Sequence, residues 1–135
     1  FSLRLREGSV SDHTKNASVV AKDWMRRCWE IDADRFQIEA AVHPLLNQRI
    51  DVLDRNAMCA YEFKVSGKNA TAEFYKDIVK VILWNEEHER KIDRLVFITE
   101  REHGEPHLNA PMPRAFMDYV ARNGLSVDVF YVTHV

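Results

Sequence analysis

The 135-residue sequence has few of the residues on which disulfide-rich, fibrous and disordered proteins depend: two cysteines, four glycines and four prolines. Two cysteines are too few for a disulfide framework. Cys28 and Cys59 both stand among apolar neighbours, so we expect reduced thiols in the core of a cytoplasmic protein. No stretch approaches the roughly 18 consecutive apolar residues of a transmembrane helix, so we expect no membrane association.

The sequence also lacks an excess of either charge. It has 19 Lys and Arg against 21 Asp and Glu, for a formal net charge of −2. A protein that binds nucleic acid through charge alone is more basic than this, so contact with phosphate has to come from local clustering. Hydrophobic residues make up 46% of the chain and charged residues 30%, as in globular proteins, and the length predicts one domain over residues 1–135.

The hydrophobic pattern predicts a mixture of helices and strands. Apolar residues three and four apart predict helices over 11–29, 72–87 and 113–123, and alternating or continuous apolar runs predict strands over 35–42, 49–54, 58–65, 94–99 and 126–132. The polar segment 100–113 predicts a loop. The expected fold is α/β: a central mixed sheet, with a three-strand antiparallel meander and further strands joined by helical crossovers, flanked by helices.

Three charged residues of the predicted hairpin converge on one side of the sheet. On the strand over 49–54, Asp51 points away from its apolar neighbours, and on the strand over 58–65 Glu62 and Lys64 do the same. The turn between the strands allows two registers, with Asp51 opposite Glu62 or one diagonal step from it. In both registers the three side chains emerge on the same side.

Two carboxylates and a lysine suit the metal-dependent hydrolysis of a phosphodiester. Mg²⁺ takes oxygen ligands and typically needs one or two carboxylates beside water and substrate phosphate. Asp51 and Glu62 are the candidate ligands, with the backbone carbonyl of Phe63 as a further one, and Lys64 can orient the attacking water or stabilise the transition state. In a chain this rich in charge, the pattern also fits a solvated sheet face with a weak lysine–carboxylate pair.

These segments resemble the signature of the PD-(D/E)xK nuclease superfamily, which has the restriction-endonuclease-like fold. The resemblance is carried by RIDV (49–52) and YEFK (61–64), and it extends to the order of elements over roughly residues 11–99. One departure is Ile50, which stands where the superfamily's name has proline.

The resemblance implies a restriction-endonuclease-like core that cleaves DNA phosphodiesters with Mg²⁺, for which Mn²⁺ can substitute. It makes Asp51 the first metal-binding acid, Glu62 the second and Lys64 the catalytic lysine. Relatives often carry a further acid, and Glu39 is the best candidate for it, since pairing of the first two strands can place it beside Asp51. It is equally consistent with Glu39 being an ordinary exposed glutamate on a strand. Many relatives carry the further acid on the first helix, so Glu7 and Glu30 are also candidates for it.

Lysines after the hairpin are candidates for the edge of a DNA-binding groove. Lys68 and Asn69 follow the second hairpin strand, and Lys76 and Lys80 lie one helical turn apart on the next helix. The competing interpretation is a solvated helix face on which both lysines pair with neighbouring acids.

A zinc site is not expected. His103 and His107 are four residues apart, but Gly104, Glu105 and Pro106 separate them, so we do not expect them to share a helix face.

The function that the sequence favours is a metal-dependent deoxyribonuclease, an endonuclease core of the kind used in restriction, repair or defence. A chain of 135 residues leaves little room for base reading, so specificity would come from a homodimer or a companion specificity protein. Two alternatives stay open: a non-catalytic module that keeps the fold to bind nucleic acid or protein, and a small α/β enzyme in which the three charged residues coincide by chance.

Overall fold

The computed structural model describes residues 4–5, 10–65 and 69–134, in which six strands form one mixed sheet with helices on both faces. The elements in chain order are β1 (Arg4–Leu5), α1 (Val10–Ile31), β2 (Phe36–His43), β3 (Leu46–Asp54), β4 (Cys59–Lys64), α2 (Ala70–Glu87), β5 (Arg94–Glu100), α3 (Arg101–Leu108), α4 (Pro111–Arg122) and β6 (Ser126–His134). The sheet order is β1-β6-β5-β4-β3-β2, with an antiparallel β2–β3–β4 meander and parallel pairing from β4 through β5 and β6 to β1. The predicted α/β class and mixed sheet are confirmed.

The sheet separates two hydrophobic clusters. On one face, α2, α3 and α4 bury a cluster that includes Phe74 and Phe97, whose rings meet edge to face at 5.5 Å. On the other face, Trp24 of α1 packs against Tyr61 and Phe63 of β4. Because the side chains of a strand alternate, Ala60, Glu62 and Lys64 of β4 point to the opposite face, towards α2.

The prediction of a loop over 100–113 is wrong. Residues 101–108 form α3, and α4 begins at Pro111. Tertiary packing outweighs the local signal of Gly104 and Pro106, because Leu108 is buried and Gly104 lies directly against β5. A Cβ atom on Gly104 would lie 2.6 Å from Cγ2 of Thr99, so a glycine is needed for α3 to approach the sheet this closely.

The apolar stripe of α2 is wider than the sheet can cover. Val79, Ile82 and Leu83 are exposed, whereas Phe74, Ile78 and Val81 are fully buried. Asp77 and Lys80 also lie among the buried residues of α2.

Two further expectations concern the thiols and the membrane. Cys28 and Cys59 are buried, free thiols, as predicted. Within the described parts of the chain, no helix combines the length and the apolar character that crossing a membrane requires.

Candidate active site at the open end of the hairpin

Asp51 and Glu62 lie side by side where the ladder between β3 and β4 ends. The paired register runs from the turn as far as Val52 and Tyr61, and Asp51 and Glu62 occupy the next position. There, Glu62 Oε1 accepts a hydrogen bond from the backbone N–H of Asp51 at 3.1 Å, and Asp51 Oδ2 accepts one from the backbone N–H of Phe63 at 2.9 Å. Each carboxylate is thus held by the backbone of the opposite strand, and hydrogen bonds to ionised groups are the strong ones.

Two residues of α2 complete a buried cluster around Glu62. Lys80 Nζ donates to Glu62 Oε2 at 2.9 Å and to the backbone carbonyl of Arg49 at 2.7 Å, and it lies 3.1 Å from Asp77 Oδ1. The side chains of Glu62, Asp77 and Lys80 are 3, 4 and 10% exposed. Lys80 therefore directs its three ammonium hydrogens into the protein, and it joins α2 to both hairpin strands where their ladder ends.

The cluster contains more negative than positive charge. Three carboxyls, those of Asp51, Glu62 and Asp77, face the single ammonium of Lys80. Burial, followed by the charges of Asp77 and Asp51, raises the pKa of Glu62 to about 9 even though Lys80 opposes the shift. Burial also raises the pKa of Asp77 to about 6 and moves that of Asp51 upward. At neutral pH the cluster therefore holds a proton, and a cation between the carboxylates would offset the excess negative charge.

Lys64 extends the site along β4. It lies two residues beyond Glu62 on the same face of the sheet and is half-buried. Its backbone carbonyl accepts a hydrogen bond from Oγ1 of Thr99 at 2.8 Å, which fixes the end of β4 against β5. In contrast to Lys80, the Lys64 ammonium makes no hydrogen bond or ion pair with any residue that the structure describes.

The three candidate auxiliary acids have different surroundings. Glu39 lies between Ile38 and Ala40, which pair with Val52 and Ile50 of β3, and its backbone is in the left-handed region at φ 56°. Burial is the main cause of the raised pKa of Asp51, and the charge of Glu39 adds to it. Glu30 pairs with Arg26 on α1, which covers the other face of the sheet, and Glu7 lies outside the described residues.

One of the residues predicted to contact DNA has a different role. Lys80 is 8% exposed, stands on the sheet-facing side of α2 and binds Glu62 and Asp77, so it is not available at the edge of a DNA-binding groove as predicted. The competing interpretation was correct about the pairing with Asp77 but wrong about a solvated face. Asn69 and Lys76 are exposed at the amino-terminal half of α2, where contact with DNA stays a prediction. Lys68 lies outside the described residues.

Sequence reasoning missed Asp77 and Lys80 as members of the site. At a spacing of three, an acid and a lysine on a helix suggest an exposed ion pair. One signal could have identified them: Asp77 lies three residues after Phe74 and four before Val81, within the arc that α2 buries. An acid inside a buried arc needs a partner there, and Lys80 supplies it.

His103 and His107 are placed differently from the prediction. Both belong to α3 and lie one helical turn apart, so the expectation that they cannot share a helix face is wrong. They line a cavity of about 650 Å³ together with residues 69–72 and Tyr75 from the start of α2.

The hairpin carboxylates are oxygen ligands of the type that Mg²⁺ takes. Within the described residues, no three His, Cys, Asp or Glu side chains form a metal-binding group, so the protein would supply the two carboxylates of Asp51 and Glu62. Mg²⁺ is usually held in this way, with water and phosphate oxygens completing its octahedron. Asp51 Oδ1 accepts no hydrogen bond from the described residues, whereas the Glu62 oxygens accept hydrogen bonds from the Asp51 N–H and from Lys80 Nζ. The excess negative charge of the cluster favours a cation.

Comparisons with models of protein families, with curated proteins and with solved structures yield no match to this chain. The resemblance to PD-(D/E)xK nucleases therefore rests on the hairpin residues and on the order of the elements.

Proposed function

We propose that this chain is a Mg²⁺-dependent nuclease that hydrolyses DNA phosphodiester bonds and has a restriction-endonuclease-like core. The observation that carries the proposal is the pair of carboxylates at the open end of the β3–β4 hairpin. Asp51 and Glu62 each accept a backbone N–H of the opposite strand and lie in a cluster with excess negative charge. The order of helix, three-strand meander, helix and parallel strand around this pair is the one that the resemblance implies.

The carboxylates and the backbone between them would hold the ion. Asp51, Glu62 and the carbonyl of Phe63 supply oxygen ligands, which Mn²⁺ also accepts. When bound, Mg²⁺ lowers the pKa of a coordinated water and neutralises charge on the phosphate. Because hydrogen bonds already fix both carboxylates, little reorganisation is needed when substrate binds.

The two lysines of the site have separate tasks in this proposal. Lys64, which has no side-chain partner among the described residues, donates to a non-bridging phosphate oxygen and stabilises the charge that develops there. Lys80 contacts only protein atoms, and it holds Glu62 and the Arg49 carbonyl in place. Lys64 is therefore the catalytic lysine and Lys80 a positioning residue.

Cleavage assays with matched variants test the proposal. Supercoiled plasmid and linear oligonucleotides are incubated with the protein and Mg²⁺, Mn²⁺ or EDTA. We expect metal-dependent cleavage whose rate falls roughly 100-fold or more in Glu62→Gln and in Lys64→Ala. The exposed residues Glu89 and Lys22 provide the controls, and Glu89→Gln and Lys22→Ala should cleave at the wild-type rate.

Cleavage that survives both Glu62→Gln and Lys64→Ala, or that persists in EDTA, would contradict the proposed site. A folded wild-type protein that neither cleaves DNA nor binds Mg²⁺ in a calorimetric titration would contradict the proposal and favour the alternative of a non-catalytic module that binds nucleic acid or protein.

A further inference from the structure

We propose that the outward face of α2 is a docking surface for a second copy of this chain. The centre of this face is formed by Val79, Ile82 and Leu83, which are 47, 41 and 37% exposed. Their spacing of three and four residues places them in one stripe on the side of α2 that points away from the sheet. The inner side of α2 is complete without them, since Phe74 and Ile78 already fill the contact with the sheet.

The apolar surface continues from α2 onto α4. Tyr75 lies one turn before Val79, and its ring contacts the ring of Phe116 at 5.5 Å between centroids. Phe116 in turn stacks on Tyr119 at 6.3 Å. Tyr119 and Met112 are 55 and 74% exposed. Single exposed apolar side chains are normal, but a contiguous apolar patch across two helices is typical of an interaction surface.

The charges at the two ends of the stripe favour a second copy as the occupant. Lys76 lies three residues before Val79, and Glu86 lies three residues after Leu83. Both are exposed, and neither has an ion-pair partner among the residues that the structure describes. When two α2 helices pack antiparallel, the end of the stripe that carries Lys76 in one copy meets the end that carries Glu86 in the other.

This complementarity is the kind that a twofold-symmetric dimer needs. In such a contact both copies use the same patch, so the Lys76–Glu86 pair is formed twice, once on each side of the apolar centre. The central side chains would provide most of the affinity, and the charges at the rim would set the orientation. The proposal does not depend on nuclease activity, because it can be tested without DNA or Mg²⁺.

Sedimentation velocity of the full chain over a range of micromolar concentrations tests the surface. We expect a monomer–dimer equilibrium whose dissociation constant rises at least about tenfold in Val79→Asp and in Leu83→Asp. The control is Leu45→Asp, since Leu45 is 87% exposed in the turn between β2 and β3 and should leave the dimer unchanged. Circular dichroism confirms that each variant is folded.

Charge exchange tests the orientation. Lys76→Glu and Glu86→Lys should each raise the dissociation constant roughly threefold, and the double variant should restore the wild-type value. A wild-type protein that remains monomeric throughout would overturn the proposal. So would a dimer that persists in both Val79→Asp and Leu83→Asp, or one that Leu45→Asp weakens to the same extent.

Discussion

Among the described residues, Lys80 is the only cation in contact with Glu62 and Asp77, and its replacement with methionine removes that cation while keeping an unbranched chain of similar length. Glu62 and Asp77 are then left 3 and 4% exposed without the ammonium that lies 2.9 and 3.1 Å from them. The carbonyl of Arg49 also loses a donor at 2.7 Å. Lys80→Met therefore perturbs the cluster at the point that joins α2 to the hairpin.

The expected loss of stability is large. Removing one partner of a buried ion pair costs about 3–5 kcal/mol. The part-buried Arg49 carbonyl also loses a hydrogen bond from a charged donor, which is worth about 1.5–3 kcal/mol. Proton uptake by Glu62 and Asp77 offsets part of this cost, so we expect the free energy of unfolding to fall by about 3–5 kcal/mol in Lys80→Met. A domain of this size typically has about 5–15 kcal/mol in total, so the variant should be marginal.

The loss of stability in Lys80→Met depends on pH, and the direction of this dependence follows from the raised pKa values of Glu62 and Asp77. In the wild type, burial already raises the pKa of Glu62 to about 9 and that of Asp77 to about 6, and removing Lys80 raises both further. A carboxyl whose folded-state pKa lies above its unfolded value binds its proton more tightly in the folded protein, so stability falls as the pH rises between the two values. Lys80→Met should therefore recover stability as the pH is lowered from about 9 towards about 5.

Urea unfolding followed by circular dichroism measures both effects. Lys76→Met is the matched control, because Lys76 is exposed on the same helix, and it should change the free energy of unfolding by less than about 0.5 kcal/mol. Combining Lys80→Met with Glu62→Gln should cost less than the two single losses added together, because the buried charge is removed with its partner. The reasoning is refuted if Lys80→Met is no more destabilised than Lys76→Met, or if its stability increases with pH.

Three other predictions concern stability and proton release. Hydrogen bonds from Arg35 and two backbone N–H groups outweigh burial and hold the pKa of Asp54 below its ordinary value. The ionised Asp54 therefore stabilises the fold above its unfolded-state pKa, and this contribution is lost as the pH falls through its folded-state pKa. On acid titration, Asp54→Asn should lose less stability below about pH 4 than the wild type does. Gly104→Ala should lower the free energy of unfolding by about 1–3 kcal/mol in urea denaturation, since its Cβ would lie 2.6 Å from Thr99 Cγ2. Adding Thr99→Ser, which removes that methyl group and keeps the hydroxyl, should restore part of the loss, and no restoration would contradict the steric explanation. Because the cluster around Glu62 holds a proton at neutral pH, Mg²⁺ binding should release protons, seen in calorimetry as a binding enthalpy that varies with the ionisation enthalpy of the buffer. An enthalpy that does not vary would contradict the charge state.

The sides of the hairpin were predictable because apolar and charged residues alternate along its strands. Once Tyr61 and Phe63 face the core, Glu62 has to face the opposite side, and a slip of one residue would bury the charge on the wrong face. The sequence could not decide between the two registers, and it carried no sign that Asp51 and Glu62 each bind the backbone of the opposite strand. That exchange depends on where the ladder ends, which tertiary packing decides.

Other features lay beyond local patterns for identifiable reasons. Lysines are seldom buried, so the sequence alone suggests that Lys80 lies on the surface. One of its acidic partners, Glu62, is distant in the sequence, and the other, Asp77, looks like an ordinary ion-pair partner on the same helix. The left-handed backbone of Glu39 and the helix through Gly104 and Pro106 both contradict local propensity, and tertiary contacts override it. These departures occur beside the cluster and at the ends of the parallel strands.

The most direct test of the central claim is the initial rate of plasmid cleavage as a function of Mg²⁺ concentration, for the wild type and for Asp51→Asn. If the carboxylate pair is a Mg²⁺-dependent nuclease centre, the wild-type rate rises with Mg²⁺ to saturation, and Asp51→Asn is slower by roughly 100-fold or more at every concentration. A folded Asp51→Asn protein that cleaves at the wild-type rate, or a wild-type rate that does not respond to Mg²⁺, would contradict it.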